Sequence, residues 1–227
     1  MNIKSSCWKS IAVSTAILVV GCTSQRPTPI DEPSTQEGLV RVESKVVDAA
    51  YKRPDASLTG YTKLLLRPID VQFAKNWDPK SQGSTLNRMA EPDVEKIKRE
   101  LADVFAEVFK RDMEKGGYPL VENTGPDVIE MRAAIVNLYI TAPDVSDQTA
   151  GRTYVYTTNA GEMTLIMQLH DSITGQLLAR AYDRREDTGS GMWTWTTSVS
   201  NTAEAKRIIS TWSTALRKAF DASRAQG

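Results

Sequence analysis

Alternating apolar and polar residues predict a strand in the first third of the chain. Within residues 61–73, Ile69, Val71 and Phe73 alternate with polar side chains, which is the period of two expected of a half-buried strand. Pro68 has no N–H to donate to a neighbouring strand, so it marks a sheet edge or a bulge. The sequence therefore predicts one strand over this stretch, with an irregularity at the proline.

The same period of two recurs in the second half of the chain. Residues 128–141, 162–170 and 177–183 each have the pattern of a strand. The turn residues between the last two predict that they form a β-hairpin. Shorter segments that predict short strands or ribbons are residues 40–47, 118–121 and 154–157.

Two segments have the spacing of amphipathic helices. Residues 92–114 begin with a proline, which fits a first helical position, and end before a pair of glycines. Residues 202–222 follow helical spacing, and Asn201 with Glu204 has the pattern of a capping box. Trp212 lies in the apolar stripe of this second helix and is expected in the core.

The order of these elements predicts the fold class. A strand region, a helix, further strands with a hairpin and a final helix make an α+β layer. We expect a mixed, mainly antiparallel sheet of four to six strands with two helices packed on one face. Residues 39–227 should form this single domain.

The beginning of the chain has the layout of a secretory leader. Lys4 and Lys9 precede an apolar run at residues 11–20, which is too short to span a bilayer permanently. Gly21-Cys22 follows at once and resembles the lipobox of bacterial lipoproteins. The resemblance implies that residues 1–21 are removed as a signal peptide and that Cys22 carries the lipid.

Residues 22–38 are polar and rich in proline, which predicts a flexible tether without a core of its own. Thr23 follows the cysteine. In the lipoproteins of the enteric type that this leader resembles, aspartate at that position is associated with retention in the inner membrane. The resemblance therefore favours the outer membrane, with the folded domain facing the periplasm.

Charge and cysteine content exclude several function classes. The chain has 28 basic and 28 acidic residues, and two of the lysines lie in the leader, so the mature chain is slightly acidic. This balance argues against nucleic acid as a partner. Cys7 leaves with the leader and Cys22 is used by the lipid, so neither a disulfide nor thiol chemistry is expected in the domain.

Candidate catalytic groups are few. His170 is the single histidine, and we expect it to be solvent-exposed at a strand end, without partners for a zinc site or a catalytic triad. No phosphate loop or dinucleotide motif is present, so no cofactor or metal is expected. Asp183, Glu186 and Asp187 lie among arginines, which favours a solvated ion network, with carboxylate acid–base chemistry as the alternative.

Two tryptophans lie in a segment expected to be a loop. Trp193 and Trp195 stand among glycines and threonines, where large apolar side chains are costly to expose. They either fold back as a lid over the sheet or present a binding surface, since tryptophan is enriched at interaction hot spots. Alternation places both rings on one side if the segment is extended, which is compatible with either interpretation.

The chain resembles a known family. The resemblance rests on the lipobox and on four further features: Leu58-Thr59-Gly60-Tyr61 before a leucine strand, Gly125-Pro126-Asp127 before another, the hairpin residues 169–175 and the carboxy-terminal helix. The chain is similar to bacterial lipoproteins of the domain of unknown function 3313 family. This resemblance implies a lipid-anchored envelope protein, and it transfers no functional residues.

Together these observations lead to a functional expectation with alternatives. We expect a non-catalytic periplasmic module, bound to the membrane through its lipid, that binds another envelope protein or a cell-wall component or supports an assembly. One alternative is a cell-wall hydrolase that uses the carboxylates near Asp183 and Glu186. Another is a lipoprotein that associates with itself.

Overall fold

The computed structural model describes residues 34–78, 91–140, 155–157, 161–186, 194–196 and 198–225. In chain order the elements are β1 (Val40–Val42), β2 (Ala49–Lys52), β3 (Lys63–Leu66), β4 (Asp70–Phe73), α1 (Glu91–Lys115), β5 (Val128–Ile140), β6 (Val155–Thr157), β7 (Gly161–Asp171), β8 (Leu177–Glu186), β9 (Thr194–Thr196) and α2 (Ser198–Arg224).

Seven of the described strands form one mixed sheet, in the order β1-β2-β8-β7-β5-β3, with β4 also paired to β5. The β3 and β4 strands run parallel to β5, and all other pairs of this sheet are antiparallel. The predicted hairpin is β7–β8, and β6 pairs with β9 as a separate ribbon. The α+β class is thereby confirmed, with more strands than the four to six expected.

Both described helices pack on one face of the sheet, which we call the helical face; the opposite side is the outer face. Every second residue of the two central strands points at the helices, because successive side chains of a strand alternate between faces. The strand contribution to this core is Ile129, Met131, Ala133 and Ile135 from β5 with Met163, Leu165, Met167 and Leu169 from β7. The helices add Phe105, Val108, Phe109, Met113, Ile208, Ile209, Trp212, Leu216 and Phe220.

The strand predicted over residues 61–73 is two strands. Arg67 still donates its backbone N–H to the Met131 carbonyl at 3.0 Å, but the ladder stops at Pro68, which has no N–H. Pairing with β5 resumes at Asp70, opposite Ala134. The proline thus divides the segment, and both halves remain on the same neighbouring strand.

The first helix ends as its two glycines predict. Tyr118 donates its N–H to the Met113 carbonyl and Gly117 donates to Glu114, each at 3.0 Å, which is the hydrogen-bond pattern of a Schellman motif. Gly117 has a φ of 79°, which glycine adopts without strain. None of the described helices combines the length and the hydrophobicity needed to span a bilayer.

The second helix begins earlier than predicted. The prediction placed a cap at Asn201, whereas α2 starts at Ser198 and therefore contains that residue. The capping-box interpretation of Asn201 and Glu204 was wrong. The helical spacing of apolar residues begins only at Ala205, so this pattern could not predict that the first turn of α2 starts at Ser198.

The domain also begins earlier than residue 39. Ser34 forms a β-bridge with Val40, and Thr35 and Leu39 are joined by a backbone hydrogen bond of 2.9 Å. Glu37 pairs with Arg180 at 2.8 Å. The last five residues of the predicted tether, 34–38, are therefore attached to the sheet.

Candidate functional site

Four of the residues singled out from the sequence are not brought into a described site. Cys22, Asp187 and Trp193 lie outside the described residues. Trp195 lies in β9, where its Cα pairs with that of Tyr156, so this part of the predicted loop is a strand. The lipidation of Cys22 and the role of the two tryptophans stay predictions.

Asp183 is a buried acceptor on the helical face. Its side chain is inaccessible to solvent, and its Oδ2 accepts hydrogen bonds of 2.6 Å from Trp212 Nε1 and from Arg185 Nε. Its Oδ1 accepts the backbone N–H of Asp48 at 3.1 Å. Asp183 thus connects β8 to α2 and to the β1–β2 connection, and it is not part of a solvated ion network.

Glu186 lies on the opposite face of the same strand. Asp183 pairs across the ladder with Leu165, and Glu186 pairs with Glu162 three positions on, so the two carboxylates point away from each other. Glu186 is about half exposed and forms an ion pair with Arg184. The geometry does not place these two carboxyl groups on either side of one substrate bond.

His170 was expected to be solvent-exposed, and this was wrong: it is buried on the outer face. Its Nδ1 lies 3.1 Å from the Gly175 carbonyl, so Nδ1 carries the proton and donates it. The turn between β7 and β8 folds back over the ring, which the alternation of β7 could not reveal. The side-chain oxygen of Gln168 points toward Arg180 and accepts a hydrogen bond of 3.0 Å from Arg180 Nη2. The amino group of the Gln168 amide then faces Nε2 of His170.

Glu130 is a second buried carboxylate, which no motif in the sequence indicated. It lies on the outer face of β5, opposite His170, and only 3% of its surface is exposed. Arg67 donates to its Oε2 at 2.7 Å and Arg132 donates to its Oε1. The Arg67 hydrogen bond, reinforced by Arg132, lowers the pKa of Glu130 below its ordinary value of 4.5 against the opposing effect of burial.

The guanidinium groups that hold Glu130 remain accessible. The side chain of Arg67 is 46% exposed and that of Arg132 is 54% exposed. Arg184, further along the same face, is 44% exposed and pairs with Glu162. A buried carboxylate thus holds two arginines that are about half exposed, and two further arginines, Arg180 and Arg184, are paired with Glu37 and Glu162. We call Arg67, Arg132, Arg180 and Arg184 the arginine face.

The segments that carry the family resemblance meet at one end of the sheet. Tyr61 donates its hydroxyl to Asp171 at 2.7 Å, and Ser172 Oγ donates to the carbonyl of Gly125 and accepts from its N–H, at 3.0 and 3.1 Å. Thr62 donates to Asp127 at 2.9 Å. These short motifs therefore join the two turns to β3.

The same contacts shift two pKa values. Burial, with the hydrogen bond to Asp171, raises the pKa of Tyr61 to about 12. Hydrogen bonds from the Thr174 backbone and from Tyr61 lower the pKa of Asp171. Both shifts fix a neutral phenol as donor and a charged carboxylate as acceptor, which suits a structural contact more than proton transfer.

A cleft of about 460 Å³ lies beside α2, where Val46 of the β1–β2 connection faces the helix. Hydroxyl groups and two basic side chains line its helical wall, together with one alanine: Arg207, Ser210, Thr211, Thr214, Ala215 and Lys218. Arg207 is paired with Glu204. Over the ranges that the structure describes, no group of three or more histidine, cysteine or acidic residues is placed to hold a metal ion.

These observations define an α+β protein with two helices on one face of a mixed sheet and arginine-bound carboxylates on both faces. The sequence model of the family described as "Protein of unknown function (DUF3313)" matches residues 33–216. The chain belongs to this family, which confirms the resemblance drawn from its motifs. The match begins one residue before Ser34, where the described fold begins. No curated protein matches the chain.

The chain is also similar to solved structures of other bacterial proteins. A PelC dodecamer from Paraburkholderia phytofirmans aligns at 10% identity and a TM-score of 0.35, over 71% of this chain and 94% of that one. Protein XCC0632 from Xanthomonas campestris, of family DUF330, aligns at 14% identity and a TM-score of 0.35, over 72% and 85%.

A third similar structure is a DUF4136 family protein from Bacteroides thetaiotaomicron VPI-5482. It aligns at 10% identity and a TM-score of 0.35, over 79% of this chain and 97% of that one. With TM-scores below 0.5, none of these similarities assigns a function to the chain.

Proposed function

We propose that this protein is a lipid-anchored lipoprotein of the bacterial envelope, and that its folded domain is a non-catalytic module that binds another envelope component. In this proposal Cys22 carries the lipid, the outer membrane holds it and the domain faces the periplasm. The partner presents carboxylate or phosphate groups to the arginine face.

The anchor is supported by the leader and by where the fold begins. Lys4, Lys9, the apolar run and Gly21-Cys22 have the order of a lipoprotein leader. Ser34 is already attached to β1 through Val40. The chain between Cys22 and Ser34 would reach about 20 Å as a flexible coil, so a short tether would separate the domain from the bilayer.

The binding role rests on one observation, the arginine face. Each of its guanidinium groups is paired with a carboxylate, and the side chains of Arg67 and Arg132 are about half exposed. Arginine forms bidentate hydrogen bonds with carboxylates and phosphates, and a pre-positioned side chain loses less conformational entropy on binding. The arrangement therefore favours recognition of an acidic group over chemistry on it.

Photo-cross-linking in intact cells tests the binding role. Gln72 is exposed on the outer face of β4 beside the arginine face, and a benzoylphenylalanine introduced there leaves the arginines in place. We expect ultraviolet light to produce a discrete adduct with an envelope component. Lys110, exposed on α1, is the control position and should give no such adduct.

The outcomes of that experiment are separable. An adduct from Gln72 that disappears when Arg132 is replaced by Gln would support recognition through the arginine face. Adducts of the same size from both positions, or none from Gln72 in cells that express the protein normally, would contradict the binding role. The anchor is tested separately by fractionation of Cys22→Ser, which should leave the membrane fraction.

A further inference from the structure

Three of the four large apolar side chains that stand exposed in the described part of the chain lie together at the β1 edge. Val40 is 40% exposed, and Val42 and Val46 are each 38% exposed; the fourth, Ile173, is on the β7–β8 turn. We call Val40, Val42 and Val46 the valine edge. A grouping of apolar side chains of this kind marks an interaction surface more often than single exposed residues do.

The valine edge belongs to the helical face of the sheet. Val42 pairs with Ala50, which pairs with Ala181 of β8, and Ala181 packs against the main core. Side chains of directly paired strand residues share a face, so Val42 points to the side where the helices lie. Arg41 and Tyr51 point to the outer face by the same register.

The helices do not extend over this edge in the described structure. The helix α2 shares the main core with α1 and the central strands, and the cleft lies between α2 and Val46. The row of α2 that borders the cleft includes the half-buried Thr211 and Thr214 and the exposed Lys218. The valine edge and this row therefore form the two sides of one open surface.

The charges around this surface are mainly basic. Lys45 lies next to Val46 in sequence and is exposed, Lys52 pairs across the ladder with Val40, and Lys218 lines the cleft. Glu43 and Asp48 are the acidic residues within 40–52, and the Asp48 carboxylate accepts the backbone N–H of Arg184. An apolar strip bordered by lysines matches the bilayer interface, where acyl chains meet phosphate groups.

The point at which the chain enters the fold indicates that the bilayer is what contacts this surface. Ser34 bridges to Val40, so the segment that leads back to Cys22 leaves the fold beside the valine edge. Eleven residues lie between Cys22 and Ser34, and as a flexible coil they would have a typical end-to-end distance of about 20 Å, which keeps this edge near the lipid.

We propose that the valine edge rests in the interfacial region of the membrane to which Cys22 is anchored, with Lys45, Lys52 and Lys218 directed toward lipid phosphates. This inference rests on the proposed lipid anchor. It adds an orientation: the β1 edge faces the bilayer, and β5, four strands away at about 4.8 Å per strand, carries Arg132 of the arginine face on the side away from the bilayer.

The test uses the mature, lipidated protein in vesicles of phosphatidylethanolamine and phosphatidylglycerol. Val42→Cys and Ile173→Cys, two exposed apolar positions, are each labelled with an environment-sensitive fluorophore. Doxyl groups on the lipid chains then quench whatever lies in the bilayer. We expect quenching to be several-fold greater at position 42 than at position 173, with a blue-shifted emission at position 42 only.

Each other outcome overturns a defined part of the account. Weak, equal quenching at both positions, with the protein still floating with the vesicles, would overturn the orientation and leave the anchor intact. Strong quenching at both would also overturn it, since the whole domain would then lie against lipid. Labelling of the parent protein, without an added cysteine, would reveal a free Cys22 thiol and overturn the anchor and the orientation together.

Discussion

At the scale of single residues, two buried carboxylates organise the two faces of the sheet. Asp183 accepts from Trp212, Arg185 and the Asp48 backbone on the helical face. Glu130 accepts from Arg67 and Arg132 on the outer face. A buried charge is tolerated only where such partners compensate for the lost hydration. Each carboxylate therefore has a structural explanation that requires no catalysis.

Replacing Asp183 should cost far more stability than replacing Glu186. Asp183→Ala leaves the N–H groups of Trp212 and Asp48 without their acceptor in the interior, and we expect the free energy of unfolding to fall by about 3–5 kcal/mol. Glu186→Ala removes an exposed ion pair, worth about 0–1 kcal/mol. Urea unfolding measures both, and losses of equal size would contradict the structural role of Asp183.

The stabilising contribution of the Glu130 carboxylate should be lost in acid. Its pKa is lowered in the folded state, so its contribution is fully present above the unfolded value near 4.5 and is lost as the pH falls through the folded value. In Glu130→Gln this part of the pH dependence should be missing. Urea unfolding at several pH values between about 7 and 3 gives the free energy of unfolding of the parent protein and of Glu130→Gln. Below the unfolded pKa of the glutamate, the parent protein should lose stability more steeply than the variant. Parallel curves would contradict a lowered pKa of Glu130 in the folded state.

At the scale of elements, the end of α1 shows how one backbone angle fixes a connection. Gly117 stands at a φ of 79°, and the two hydrogen bonds of the Schellman motif bring Tyr118 against Met113, both buried. This turn directs the chain from the helix back to β3, where Pro119 accepts from Leu64. The connection therefore covers the β3 edge of the sheet.

Gly117→Ala should destabilise the protein although nothing lies within 4 Å of the added Cβ. The penalty is conformational, about 1–2 kcal/mol for a side chain in the left-handed region. Gly60→Ala is the matched control, because its Cβ also meets open space and its φ is ordinary. Thermal unfolding compares the two, and a Gly117→Ala midpoint equal to that of Gly60→Ala would contradict the explanation.

Most elements could be predicted from the sequence because their apolar period is strong. The helix α1, the β7–β8 hairpin and the core position of Trp212 were all predicted, and the structure confirms them. The start of α2 could not be predicted, since no apolar residue repeats before Ala205. The division at Pro68 was signalled only as an irregularity.

The site was harder to predict because it depends on cross-strand neighbours. Alternation places Glu130 and His170 on polar faces, and nothing in the sequence pairs Glu130 with Arg67, 63 residues away. Burial of His170 depends on the carbonyl of Gly175 in the following turn. Hydrogen-bond partners that depend on strand register and turn geometry cannot be predicted from the spacing of residues within one element.

At the scale of the whole molecule, the two faces have different neighbours in this account. The helical face buries the apolar core under α1 and α2, and its uncovered margin is the valine edge. The four arginines of the arginine face lie on the outer face of the sheet. A lipid on Cys22 would hold the first toward the bilayer and leave the second free to meet another envelope component.

The anchor decides this arrangement, and mass spectrometry of the amino-terminal peptide of the mature protein tests it most directly. The account predicts that the protein isolated from membranes begins at Cys22 and that this cysteine has the added mass of a diacylglyceryl group and an amide-linked acyl chain. An unmodified Cys22 thiol, or a mature chain that retains residues 1–21, would contradict it.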